Sequence, residues 1–225
     1  IGTNAIRLFI SNVEEYPTET LFKKIAFLRV PIRLGEDVFT TGEIGQQKGK
    51  RLCETMQGFS YIMSAFNVES YKAYATCAMR EARNGKSVAE QIQKECDLNI
   101  EIISGTKEAE TIFAGGMNEV VDDDKTYLYV DVGGGSTEVI VYSKSVKVEA
   151  CSFPLGTVRM LNDAVDKEEM KHFKKWLKNI TEKYTPDAII GSGGNINKIH
   201  KLLNKKERER ITYQELDLSL IHISE

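Results

Sequence analysis

Residues Asp131 to Glu138 read Asp-Val-Gly-Gly-Gly-Ser-Thr-Glu and separate two segments of strand character. Thr126-Tyr127-Leu128-Tyr129-Val130 before it and Val139-Ile140-Val141-Tyr142 after it are rich in β-branched and aromatic residues, so the glycines turn one strand into the next. That setting excludes a Walker loop and a dinucleotide fingerprint, both of which run from a strand into a helix. Three glycines, free to take positive φ and lacking Cβ atoms, can bring backbone N–H groups close to a phosphate. Asp131 at the strand end is placed to hold a hydrated Mg²⁺, with Glu138 as a second carboxylate, while Ser136 and Thr137 offer hydroxyls. A plain hairpin turn needs one or two glycines, not three flanked by two acids and two hydroxyls. Gly133, Gly134, Gly135, Ser136 and Thr137 are therefore read as phosphate-binding, and Asp131 and Glu138 as metal-binding.

The device occurs twice. Ile1-Gly2-Thr3-Asn4-Ala5-Ile6-Arg7-Leu8 precedes a strand just as Val132-Gly133-Gly134-Gly135-Ser136-Thr137-Glu138-Val139 does. Gly2, Thr3 and Asn4 join the phosphate-binding candidates. A repeat at this distance is too long for a solenoid and points to two similar lobes, expected at residues 1–120 and 121–217. In the first, Ile6 to Val13 is a strand, Phe22 to Arg33 gives one or two more, and Leu52, Met56, Phe59, Ile62, Met63 and Phe66 form one helical stripe. Tyr71 to Thr76 and Ile100 to Ile103 read as strands, and Cys77 to Gly85 and Ser87 to Cys96 as helices. Another helix begins at Ser104-Gly105-Thr106 and ends near Gly115-Gly116. The outline is β-β-β-α-β-α-β-α.

Asn118 to Lys125 is acidic and irregular and suits an interlobe connection. The second lobe adds a strand over Val146 to Phe153 and a short helix after Pro154-Leu155-Gly156. A longer helix starts at Asp166 and buries Met170, Phe173, Trp176, Leu177 and Ile180. Its lysines, 171, 174, 175 and 178, read as a solvated face in preference to a polyanion groove. Asp187 to Gly191 is a strand, and Ser192-Gly193-Gly194-Asn195 leads it into a helix. Gly193 and Gly194 can thus present N–H groups to an anion at a helix start. Leu218 to Glu225 resembles a translated transposon end and is expected to be a non-native tail.

A net charge of −3 argues against a nucleic-acid binder, whose affinity would lean on a basic surface. The four cysteines are widely spaced with no Cys-x-x-Cys pair, which suggests neither a zinc site nor a disulfide framework and suits a reducing cytoplasm. No run approaches the roughly 20 apolar residues of a membrane span.

With these residues in place, the chain resembles the exopolyphosphatase and guanosine pentaphosphate phosphatase family, within the actin-like and sugar-kinase ATPase superfamily. The resemblance rests on Ile1 to Asn4 with Ile6-Arg7-Leu8, Arg33 to Glu36, Ala78 to Ala82, Ile103 to Gly105 with Glu108-Ala109, and Asp131 to Glu138. Pro154-Leu155-Gly156 with Arg159 and Gly191 to Asn195 complete it. It implies an α/β protein of two ribonuclease H-like lobes, with mixed sheets flanked by helices and the active site in the cleft between them. Family members normally begin a few residues earlier, with a strand and an Asp before the first loop. The second lobe is expected to stop short of the family's last elements.

The implied chemistry is Mg²⁺-dependent hydrolysis of a terminal phosphoanhydride, releasing orthophosphate from polyphosphate or guanosine pentaphosphate. Glu108 stands where the family's catalytic glutamate falls and is the expected general base, at a strand end facing the cleft. The competing structural role is a first-turn acid on a helix dipole; Glu110 and Glu81 match the motif less well. Arg80 is the favoured side-chain phosphate ligand, ahead of Arg159, which could instead be an interlobe ion pair; Arg7 is evenly balanced. A homodimer stays open as an assembly. A phosphotransferase of the sugar or acetate kinase type would need an acceptor pocket and nucleoside site for which there is no motif. A non-catalytic nucleotide or alarmone sensor would not need Glu108 with the full acidic and hydroxyl set.

Overall fold

The computed structural model describes all residues except 18–19, 115–121, 123, 145, 207–208 and 224–225, so most of the expected connection at Asn118 to Lys125, and the Gly115-Gly116 helix end, lie outside the described residues. The fold is α/β, with mixed sheets and flanking helices.

In the second half, β5 (Thr126–Val132), β6 (Thr137–Ser143), β7 (Val146–Phe153) and β8 (Ala188–Ser192) form one sheet in the order β7-β6-β5-β8. β5 and β8 run parallel and the other neighbours antiparallel. Side chains alternate between its faces. Leu128, Val139, Val141 and Phe153 point to one side and pack with Ile180 and Trp176 of α7 (Lys167–Tyr184), the helix whose apolar stripe was legible in the sequence. Asp166 caps α7, its Oδ1 accepting from the Glu168 N–H at 2.9 Å. Tyr129, Ile140 and Tyr142 point to the other side, toward the first half of the chain. The short α6 (Thr157–Leu161), α8 (Gly194–Leu202) and α9 (Tyr213–Ile223) complete this half. α9 runs through part of the stretch expected to be a non-native tail.

The first half contains a hairpin of β1 (Ile6–Glu15) and β2 (Thr20–Val30) and a parallel pair of β3 (Ala73–Ala75) and β4 (Ile100–Ile102). Around them lie α1 (Leu34–Thr41), α2 (Gln46–Ala65), α3 (Cys77–Glu81), α4 (Gly85–Cys96) and α5 (Gly105–Ala114). Ile6, Ile32, Leu34, Leu52, Met79 and Ile92 are the fully buried centre of this core. The expected outline was wrong in detail. Phe22 to Arg33 gives one strand, and α1 was missed because its N-cap is Arg33 in the left-handed region (φ 59°), with no side-chain cap to announce it.

The two sheets are related but unequal. By order, the β1-β2 hairpin matches β6-β7 and β3 matches β8, while no described strand of the first half matches β5. A cavity of about 1180 Å³ lies there, lined by residues of β1 on one side and by Lys72, Ala73 and Tyr74 on the other.

Phe153 is 1% exposed and meets Phe173 and Trp176 edge-on, with ring centroids 5.0 and 5.4 Å away. Phe153→Ala is expected to destabilise the fold by about 3–5 kcal/mol. Trp176 is the chain's single tryptophan, so a denaturant titration followed by its fluorescence reads this directly.

Candidate active site

The sheet register fixes one row of side chains. Ser192 on β8, Asp131 on β5, Glu138 on β6 and Ser152 on β7 are successive cross-strand partners, so all four share the face turned away from α7. Asp131 and Glu138 are 9% and 2% exposed, and Ser152 Oγ donates to Glu138 Oε1 at 2.8 Å. Burial pushes both carboxyls above their usual range. The Ser192 hydroxyl and the Arg7 charge pull Asp131 back; the Ser136 and Ser152 hydroxyls pull Glu138 back while Asp131 pushes it up.

α5 is laid across this face. Ser104 Oγ accepts from the Lys107 N–H at 3.1 Å, fixing the start of the helix. At Gly105 a Cβ would overlap Ser152 and stand 3.2 Å from Glu138 Oε1, so only glycine lets the helix approach so closely. Glu108 therefore sits in the first turn of α5, just past the end of β4, as the helix start at Ser104-Gly105-Thr106 implied. Its Oε2 is buried and accepts no hydrogen bond among the described residues. Burial, and after it the charge of Glu138, pushes the Glu108 carboxyl up to about 7, with Arg80 and Thr76 opposing. Arg80, half-buried on α3, donates from Nη1 to the Ile103 carbonyl at 2.8 Å, and its charge reaches both Glu108 and Glu138.

The glycine loop joins β5 to β6, closed by a Gly133 N–H to Ser136 O bond of 2.9 Å. None of its three glycines uses the freedom to take positive φ. They are needed for close approach. A Cβ at Gly134 would stand 3.0 Å from Thr3 Cγ2, and one at Gly135 2.5 Å from both Cys77 Sγ and Phe39 Cζ. The first and second glycine turns thus meet directly. The carbonyls of the three glycines turn toward α6: Gly133 O accepts from Thr157 N–H (3.0 Å), Gly134 O from Val158 N–H (2.8 Å) and Gly135 O from Arg159 Nε (2.9 Å). The N–H groups of Gly134, Gly135 and Ser136 find no backbone acceptor among the described residues, which leaves them for an anion. Gly193, at φ 102°, packs beside Asp131 Oδ1 and the Val132 carbonyl, bringing the start of α8, where Gly194 lies, to the same end of β5.

Other candidates fall elsewhere. Alternation puts Thr137 on the α7 side, where its Oγ1 donates to the Leu155 carbonyl at 2.5 Å, so its hydroxyl is used in the fold. Arg159 is an interlobe ion pair: Nη2 reaches Glu81 Oε1 and Oε2 at 2.8 and 2.6 Å. Glu81 is thereby occupied, and Glu110 pairs with Lys147 at the surface. Asn4 is exposed and its carbonyl accepts from the Arg33 N–H at 2.9 Å; Thr3 is buried between the Gly35 backbone and Gly134. Ser152, Ser192, Thr76 and Phe39 were not foreseen. The two serines follow from register once the pairing is known; Thr76 and Phe39 carry no sequence signal of their own. No three His, Cys, Asp or Glu side chains among the described residues come together as a metal cage. Asp131 and Glu138, buried with no salt bridge to a cation among the described residues, could hold a Mg²⁺ whose other ligands come from phosphate and water.

Two sheets of related strand order, with a glycine loop and a carboxylate row where they meet, define an α/β fold with a site at their junction. The model of the Ppx/GppA phosphatase family matches residues 13–220, and the chain belongs to that family. It is similar to an exopolyphosphatase of Cytophaga hutchinsonii, with a TM-score of 0.80, 25% identity, and 96% of this chain and 72% of that one covered. An Aquifex aeolicus family member shares the fold, with a TM-score of 0.74 at 24% identity over 96% of this chain and 74% of its own. Among relatives, the bifunctional 3-dehydroquinate synthase/phosphatase of Fusobacterium nucleatum is 30% identical over 164 residues, 71% of this chain and 25% of that protein. Exopolyphosphatase 1 of Mycobacterium tuberculosis is 23% identical over 220 residues, 90% of this chain and 62% of its own. The chain thus spans less than two thirds of either relative. No described helix is long and apolar enough to cross a membrane.

Packing and charge each carry an expected outcome. At Gly156 a Cβ would overlap the Gly134–Gly135 peptide, so Gly156→Ala is expected to cost about 1–3 kcal/mol, measured by thermal melting against wild type. Glu108 titrates near 7 when folded against an ordinary value of 4.5, so the folded state binds the extra proton. Its contribution is full below about 4.5 and is lost as pH rises through 7, by roughly 3 kcal/mol at most. With divalent ions chelated, Glu108→Gln should therefore raise the melting temperature at pH 8 and change it little at pH 4.5; an equal shift at both would contradict the assigned burial.

Proposed function

We propose that this site hydrolyses the terminal phosphoanhydride of inorganic polyphosphate, releasing orthophosphate, with Mg²⁺ held by Asp131 and Glu138. The observation that carries the reading is the position of Glu108: a half-buried carboxylate whose enclosed Oε2 has no hydrogen-bond partner among the described residues, on a helix laid over the paired acids. The names of the relatives support the substrate, since those in Mycobacterium tuberculosis and Cytophaga hutchinsonii are exopolyphosphatases. Guanosine pentaphosphate offers the same terminal chemistry and is the second substrate of this reading. A cytoplasmic location, where both compounds would be met, belongs to it as well.

In this reading the N–H groups of Gly134, Gly135 and Ser136 receive the phosphate oxygens, and Gly2-Thr3 closes against them from the other lobe. Arg80, anchored on the Ile103 carbonyl, faces the developing charge. Glu108 Oε2 accepts the proton of the attacking water; a carboxyl near 7 suits that task because it is substantially ionised at neutral pH and still basic enough to accept. Ser152 and Ser192 hold Glu138 and Asp131 in orientation. Mg²⁺, when bound, neutralises charge on the leaving phosphate chain.

Phosphate release from long polyphosphate, guanosine pentaphosphate and ATP, with and without Mg²⁺, tests this. Glu108→Gln should lower kcat by about 10²–10⁴ while tripolyphosphate binding persists. Turnover at the wild-type rate would remove Glu108 as the base, and tight binding without turnover by the wild type would favour a sensor.

A further inference from the structure

We infer that Glu81 and Arg159 are a positioning pair that holds the two halves of the site in register. The inference rests on the functional reading above only for its kinetic consequence.

Glu81 and Arg80 are neighbours on α3, and they do different things. Arg80 is tied to the β4–α5 junction through the Ile103 carbonyl, the segment that carries Glu108. Glu81 reaches across to the other lobe, where both of its oxygens take the Arg159 guanidinium, at 2.8 and 2.6 Å. The same guanidinium donates from Nε to the Gly135 carbonyl at 2.9 Å and lies 4.2 Å over the Phe39 ring. Arg159 thus spends its donors on one carboxylate from the first lobe and one carbonyl from the glycine loop, and its face on an aromatic ring of α1. The Arg159 side chain is 12% exposed and the Glu81 side chain 36%, so the guanidinium is held in a sheltered place while the carboxylate meets solvent at one side. The geometry of the pair therefore matters more than its Coulomb energy. Cys77 Sγ adds a bond to Glu81 Oε1 at 3.3 Å, which steadies the carboxylate from its own helix.

The linkage runs from the Glu108–Arg80 platform, through α3, to the carbonyl side of the peptides whose N–H groups are left open. Shifting Glu81 relative to Arg159 would shift Arg80 relative to the phosphate cradle. A pair acting in this way sets the population of the registered state. It does not touch the reacting atoms. Apparent affinity is the intrinsic affinity scaled by that population, and once substrate saturates the protein the registered state is restored. The signature is therefore a KM effect with kcat preserved.

The test uses Glu81→Gln and Arg159→Lys in the intact protein, with fluorophores placed by orthogonal chemistry at the exposed Tyr61 on α2 and Lys174 on α7. Both variants keep the polar bulk of the residue, and thermal melting confirms that they fold. The expected results are a broadened distance distribution without ligand, a 5–20-fold weaker Kd for tripolyphosphate, and a KM raised by the same factor with kcat within twofold. Saturating tripolyphosphate should restore the narrow distribution. An unchanged distribution with unchanged Kd would overturn the inference. A fall in kcat at unchanged KM would also overturn it, because Arg159 would then act on the reacting phosphoryl group. Failure of hydrolysis in the wild type would sink the functional reading, while the distance and binding results would still decide the role of the pair.

Discussion

The structure depends on a single rung of cross-strand pairing. Ser192, Asp131, Glu138 and Ser152 lie side by side because β8, β5, β6 and β7 pair in one register. Side chains alternate with period two, so a slip of one residue in any pair would move its acid or serine to the α7 side, and in β5 it would put Val130 or Val132 in the place of Asp131. The register is held from that other side: Val139, Val141 and Phe153 are almost wholly buried under α7, and they cannot turn outward without exposing that core. Apolar packing on one face thus enforces two buried, like-charged groups on the other. The cost of that arrangement shows in the raised carboxyls of Asp131, Glu138 and Glu108. Three buried or half-buried carboxyls, all shifted upward and gathered at one place, mark a functional site more than a structural sheet.

The glycine loop and α6 extend the same logic to the backbone. Three successive carbonyls are taken by α6 and Arg159, so the peptide planes of the loop are oriented before any ligand arrives. Preorganised dipoles need not reorganise as charge develops. The glycines serve closeness, not turning: Thr3, Cys77 and Phe39 occupy the space where Cβ atoms would stand.

Much of this was legible in the sequence. The strand–glycine–strand order and the α7 stripe follow from local pattern, and the repeat of the glycine device predicted that two turns would meet, as Thr3 and Gly134 do. What was not legible depends on long-range geometry. Thr137 looked like a ligand because it lies in the motif, but parity turns it away from Glu138, onto the Leu155 carbonyl. Ser152 looked like an ordinary strand residue because its role comes from sitting opposite Glu138. Helix α1 escaped because its cap is an arginine in a left-handed conformation, and the usual cap residues are absent. Arg159 could be read either way from sequence, and only the position of Glu81 decides it.

The most direct measurement is a structure of the protein with Mg²⁺ and a non-hydrolysable imidodiphosphate analogue of tripolyphosphate. Terminal phosphate oxygens are expected on the N–H groups of Gly134, Gly135 and Ser136, the cation between Asp131 and Glu138, and Glu108 within reach of a water in line with the scissile bond. An analogue lodged away from the Asp131–Glu138 rung, or a cation held by other side chains, would contradict it.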